Sequence, residues 1–135
     1  MRPMRIVFDT NVYLAAIKKD SYSYLQLIRS RPNGPYQLYI SPDIIIEIRE
    51  KLETKFNWSK AESARYIETI LMYAIIVHPH EKISGILNDI DDHIILECAL
   101  ESKAISIITA DKGLLKLKNY RGISIIHPSI LQYLK

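Results

Sequence analysis

Short apolar runs alternate along this chain with longer amphipathic stretches, the pattern of strands interleaved with helices around a parallel sheet. Arg5 to Phe8 ends at Asp9 and fits a strand buried on both faces. Helix is expected from about Asn11 to Ile17 and from about Ser21 to Arg29, with a break near Lys18 to Asp20. Arg31-Pro32-Asn33-Gly34-Pro35 is the clearest turn signal, and Gln37 to Ile40 beyond it reads as a second strand. Ser41-Pro42-Asp43 supplies an N-cap, a first-position proline and a first-turn acid, so a helix runs to about Phe56 with Ile44, Ile45, Ile48 and Leu52 as its apolar stripe. Ser59 and Glu62 match a capping box that opens a helix to about Tyr73. Ala74 to Val77 is the third strand candidate. Asp91 or Asp92 starts a helix through about Ser102, with Ile94, Ile95, Cys98 and Ala99 facing inward. Strand Ile105 to Thr109, short helix Asp111 to Leu117, strand Ile123 to Ile126 and terminal helix Pro128 to Leu134 complete the order. The fold class expected is α/β, a Rossmann-like three-layer α/β/α sandwich with a mainly parallel central sheet.

A length of 135 residues suits one domain, 1–135, that folds without disulfides or a structural metal. With 48% hydrophobic and 24% charged residues, the chain lies outside the regime of disorder. No apolar run reaches the roughly 18 to 20 residues of a membrane span, and MRPMRIVFDTN turns polar too soon for a signal peptide. The single cysteine, Cys98, excludes an internal disulfide and a cysteine zinc cluster, and reads as a buried reduced thiol in a cytoplasmic protein. A net charge of +3 does not announce nucleic acid by itself, but with four of the 15 acids assigned to a metal site, 18 Lys and Arg face 11 acids. Such a surface tolerates a polyanion.

In open parallel sheets ligands bind outside the carboxyl ends of the strands, where the strand order reverses. Asp9 follows the first strand, and Asp111 follows the strand Ile105 to Thr109 with one residue between. Asp92 lies in the first turn of the helix feeding that strand, and Glu47 in the second turn of the helix after strand two. Four carboxylates can therefore converge at one rim. Each also has a structural reading: Asp9 and Asp111 as turn or cap residues, Asp92 as a helix N-terminal acid, Glu47 as the i,i+4 ion-pair partner of Lys51. Converging carboxylates repel unless a cation neutralises them, and an all-oxygen donor set suits Mg²⁺ or Mn²⁺ rather than zinc. A pair of such ions serves in-line displacement at a phosphodiester.

Taken together, these segments resemble the PIN-domain nucleases, and most closely the toxin components of toxin–antitoxin systems related to VapC ribonucleases. The resemblance rests on Ile6-Val7-Phe8-Asp9-Thr10-Asn11-Val12, on Ser41-Pro42-Asp43 through Glu47, on Asp92 to Ala99, and on Ile107-Ile108-Thr109-Ala110-Asp111 through Leu115, and covers almost the whole chain. It implies a PIN-like fold and Asp9, Glu47, Asp92 and Asp111 as catalytic metal ligands for Mg²⁺ or Mn²⁺, with Asn11 and Thr109 as polar supports. Asp9 and Asp111 would bind the metal most directly, Asp92 would complete the site, and Glu47 would hold or activate a water there. Asp91 is the second choice for the third acid in the run Asp89-Ile90-Asp91-Asp92. The resemblance further implies RNA cleavage leaving a 3′ hydroxyl, inhibition by an antitoxin protein, and a homodimer.

Tyr13, Tyr22 and Tyr24, with Lys18, Lys19, Arg29 and Arg31, read either as a stacking and phosphate-binding lip for RNA or as a dimer or antitoxin interface. His78 and His80 read as loop residues, His93 and His127 show no partner pattern, and Trp58 reads as a packing anchor. Two other functions fit a strand-end aspartate. Phosphotransfer to Asp9 is one, although phosphatases of that kind want a second Asp where Asn11 stands. A catalytically silent RNA- or protein-binding module is the other, and such a module would be expected to lose an acid that is here retained.

Overall fold

A computed structural model describes residues 3–30 and 34–133. Its elements are β1 (Met4–Phe8), α1 (Thr10–Ala15), α2 (Tyr22–Arg29), β2 (Tyr36–Ile40), α3 (Pro42–Thr54), α4 (Lys60–Leu71), β3 (Ala74–Ile76), a 3-10 turn at Ile90–Asp92, α5 (His93–Ser102), β4 (Ser106–Ile108), α6 (Lys112–Leu117), β5 (Asn119–Tyr120), β6 (Ile123–Ile126) and a 3-10 segment Pro128–Tyr133. The sheet order is β3-β2-β1-β4-β6-β5, and every pairing is parallel except β5 with β6. Together these make the expected α/β/α sandwich.

β1 is central because Ile6, Val7 and Phe8 are all buried, so neither face of that strand has a solvent side. From β1 the chain winds outward through β2 and β3, then returns to add β4 and β6 on the other flank. The order therefore reverses between β1 and β4, and the carboxyl ends of those two strands open the crevice. Ile44, Ile48 and Leu52 form the fully buried stripe of α3, whose Ser41 cap accepts from the Ile44 amide. α5 is the most enclosed helix, with Ile95, Leu96, Cys98 and Ala99 buried, and it packs on β1 and β2.

Several boundaries differ from the sequence expectation. The last helix is a 3-10 segment rather than an α-helix, and Leu134 lies outside the described residues. α5 begins at His93, after a 3-10 turn closed by Asp92. β5 was not expected: Arg121 and Gly122 at φ 49° and 86° make a tight reversal that folds Asn119 and Tyr120 back on β6, and two residues carry too little periodicity to announce a strand. The turn segment 31–33, with Arg31, is outside the described residues.

Candidate functional site

Asp9 and Asp111 leave the adjacent strands β1 and β4 on the same rim, and Thr109 joins them. The Thr109 hydroxyl donates to Asp9 Oδ2 at 2.8 Å and accepts from the Asp111 amide at 2.9 Å. Asp9 is buried at 3% exposure and occupies the N-cap position of α1, yet its carboxylate makes no capping bond to that helix. A strand-end aspartate that is not spent on a turn or a cap is free for other chemistry. Asp111, by contrast, does cap α6, with Oδ2 accepting from the Leu114 amide at 2.9 Å. A side chain at Gly113 would meet Asp111 Oδ2 at 3.1 Å and Asp92 Oδ2 at 3.8 Å, so glycine in that first turn leaves room for the two carboxylates to approach.

Asp92 is 8% exposed, whereas Asp91 is exposed. Burial pushes the Asp92 carboxyl up to about 7, helped by the charge of Asp111, the hydrogen bond its protonated form shares with Asp111, and the charges of Asp9 and Asp89. Burial also raises Asp9; the Thr109 hydroxyl and Lys51 oppose that rise, and the Asp111 charge adds to it. Glu47 is raised by burial and by the charges of Asp91 and Asp9, against the Thr10 hydroxyl and Lys51. That Thr10 hydroxyl is close enough to matter electrostatically, but it reaches no hydrogen-bond geometry and is left buried without a partner. The ion-pair reading of Glu47 is present: Lys51 Nζ lies 3.8 Å from Glu47 Oε1, and it also donates to Asn11 Oδ1 at 3.3 Å.

The four sequence-chosen acids thus share one electrostatic environment, in two halves. Asp9, Asp92 and Asp111 form one, of which Asp92 and Asp111 border a cleft of about 320 Å³, while Glu47 with Lys51 and Asp91 borders another of about 500 Å³. Among the described residues no group of three His, Cys, Asp or Glu side chains is drawn together as a finished metal site. The donor set nevertheless fits a hard divalent cation in kind. It is all oxygen, its carboxylates raise one another's proton affinity, and an unpartnered hydroxyl lies beside it.

The outer residues fare differently. Tyr13 is no part of an RNA-facing lip: it is fully buried, its ring 5.3 Å from that of Phe8, because α1 turns that face onto the sheet. Lys18 and Lys19 are exposed in the turn beyond α1, one helix length from Asp9. Arg29 is partly buried in the last turn of α2, and Arg31 is outside the described residues. Tyr22 is exposed. Trp58 packs edge-on against Tyr66, as a packing anchor should.

Sequence reading passed over His93 and Glu97. His93 is buried, and its Nε2 accepts from the Ile86 and Leu87 amides at 3.3 and 3.1 Å while Nδ1 meets the Ile90 carbonyl at 3.1 Å. Two amides pointing at Nε2 fix the ring proton on Nδ1. Glu97, one turn on, accepts from the Ile83 amide at 2.9 Å. Together they tether the long segment between β3 and α5, which carries Asp89 and forms one wall of the smaller cleft. Their spacing of i,i+4 on an inward face was the available signal.

The PIN domain family model matches residues 5–113. Among solved structures, the chain is similar to VapBC2 from Rickettsia felis bound to a DNA fragment from its promoter, at TM-score 0.64 and 18% identity, covering 92% of this chain and 98% of that one. It is also similar to PAE2754 from Pyrobaculum aerophilum, at TM-score 0.57 and 17% identity, covering 96% of this chain and 86% of that one. No curated protein sequence matches it.

Proposed function

Because the chain belongs to the PIN-domain family, we propose that it is a metal-dependent endoribonuclease, the toxin of a toxin–antitoxin pair. The observation that carries this reading is the Asp9–Thr109–Asp111 chain at the switch point, with Asp92 buried against it. In this reading Asp9, Asp92 and Asp111 hold Mg²⁺ or Mn²⁺, and Glu47 completes the set. The metal, when bound, supplies positive charge that polarises the scissile phosphate and eases deprotonation of a water. Thr109 orients Asp9 and Asp111 through its two hydrogen bonds. Asn11 and Lys51 fix the Glu47 side of the rim. Water adds to phosphorus with its proton passing to Glu47, the bond to O3′ breaks, and the departing oxygen takes a proton from solvent to leave a 3′ hydroxyl and a 5′ phosphate. The likeness to VapBC2 supports a protein antitoxin as partner. A homodimer and a cytoplasmic location belong to the same proposal. No helix among the described residues is long and apolar enough to cross a membrane.

The test is an RNA panel incubated with protein and Mn²⁺, with EDTA, Asp9→Asn and Asp111→Asn as controls. Cleavage by the wild type that all three controls abolish supports the reading. Equal cleavage by both variants refutes the site, and RNA that is bound but survives intact points to a silent binding module instead.

A further inference from the structure

The two halves of the acidic rim differ in what neutralises them. Asp9 and Asp92 are buried and Asp111 half-buried, and Lys116, which borders their cleft, makes no ion pair among the described residues. The Glu47 half already holds a cation. Lys51 Nζ lies 3.8 Å from Glu47 Oε1 and donates to Asn11 Oδ1 at 3.3 Å, with 24% of its side chain exposed. An i,i+4 pair on one helix would leave the ammonium free to swing into water; the bond to Asn11, 40 residues away on α1, ties it across the site. Its charge reaches both halves, opposing the rise in proton affinity of Asp9 and of Glu47. Of the side chains bordering the cleft of about 500 Å³, Lys51 alone is basic, facing Asp43, Glu47, Glu50 and Asp91.

We propose that the Lys51 ammonium is the second cation of this site, so that the rim takes one divalent ion, in the Asp9–Asp92–Asp111 half, and no second ion at Glu47. This rests on the nuclease reading above and names the number of ions that reading needs. Two-ion cleavage of a phosphodiester sets its ions about 3.5 to 4 Å apart, one at the attacking and one at the leaving oxygen. A second ion here would have to sit on Glu47, against an ammonium 3.8 Å from that carboxylate. A divalent ion and an ammonium repel, and a partly buried setting strengthens the repulsion relative to water. Displacing Lys51 would also strip Asn11 Oδ1 of its bond and still leave the charge nearby, because Lys51 is anchored on the same helix as Glu47. Lysine suits the role as a compact point charge with three N–H donors, of which one goes to Asn11. The others can meet a non-bridging oxygen of the scissile phosphate. Glu47, carrying no ion of its own, keeps its carboxylate for the proton of the attacking water.

The test is a Mn²⁺ titration of RNA-free protein, followed by the electron paramagnetic resonance signal of free Mn²⁺, which counts ions bound per chain. Wild type and Lys51→Arg should each bind one. Lys51→Met should bind two, because Glu47, Asp91, Asn11 and the buried, unpartnered Thr10 hydroxyl are then an oxygen set without a competing cation. Adding Glu47→Gln to Lys51→Met should return the count to one. Methionine keeps the apolar stem of the lysine, a cooperative melt in EDTA shows that the variant is folded, and Lys51→Gln takes its place if it is not. Two ions on the wild type or on Lys51→Arg, one on Lys51→Met, or two on the double variant would each overturn the assignment. A single wild-type ion that Asp111→Asn removes supports the metal reading whatever Lys51 does, while no bound Mn²⁺ at all defeats both.

Discussion

Asp92→Asn should stabilise the metal-free protein, and more so as the pH rises. Asp92 titrates at about 7 in the fold, against roughly 3.9 for an unperturbed aspartate. Between those values the folded state holds a proton that the unfolded chain has released, so wild-type stability falls as the pH climbs. Its contribution is fully present below about pH 4 and is gone above about pH 7. Three pH units set a ceiling of a few kcal/mol, and roughly two thirds of it is lost between pH 5 and pH 8. At 8% exposure the carboxylate has little water to screen it, so most of that should be visible. Asparagine keeps the shape and resembles the protonated acid, so the variant and the wild type should be nearly equal at pH 5. Urea unfolding in EDTA across pH 5 to 8 measures the gap, which should open by about 1 to 3 kcal/mol in favour of the variant. Saturating Mn²⁺ should then close it, since an ion that binds only the folded wild type adds about 2.7 kcal/mol at a hundred times its dissociation constant. Stability curves that stay parallel from pH 5 to 8 would show that Asp92 does not sit among unneutralised charges, and the electrostatic argument for the site would fail.

Three further tests follow from named contacts. Thr109→Val removes the hydroxyl between Asp9 and the Asp111 amide; it should cost about 1 to 3 kcal/mol in urea unfolding and lower cleavage at least tenfold, and wild-type values would show that the bridge is dispensable. His93→Ala should speed amide exchange at Ile86 and Leu87, with partial recovery in His93→Gln, whereas unchanged exchange would mean the ring is not their anchor. Ser59→Ala removes the hydroxyl that accepts from the Glu62 amide while leaving the Ser59 amide to donate to the Glu62 carboxylate, so the protein should lose about 1 kcal/mol and melt about 3 °C lower, with cleavage untouched.

How much of the site was legible depends on whether its signal was local. Asp9 and Asp111 were readable because each follows an apolar run that can only be a buried strand, and a parallel sheet puts such residues on one rim. Thr109 was recognisable by motif, but not its bond to Asp9, because that bond spans a hundred residues of sequence. Tyr13 was misread because an aromatic beside an acidic motif looks the same in sequence whether its helix face turns to solvent or to the sheet. His93 and Glu97 were missed because what they bind is backbone amides, which no side-chain pattern advertises.

The sequence by itself determined where the main strands and helices would lie, β5 and the 3-10 form of the last segment aside, and which acids would end up at the rim. Hydrophobic periodicity, caps and the right-handed crossover act over a few residues at a time. Tertiary structure alone decided how those acids are divided. Asp92 stands buried against Asp111, Asp91 and Lys51 accompany Glu47, and a histidine-bound wall encloses one cleft beside them. Those relations depend on distances between elements remote along the chain, and charge interactions in a buried setting change steeply with such distances.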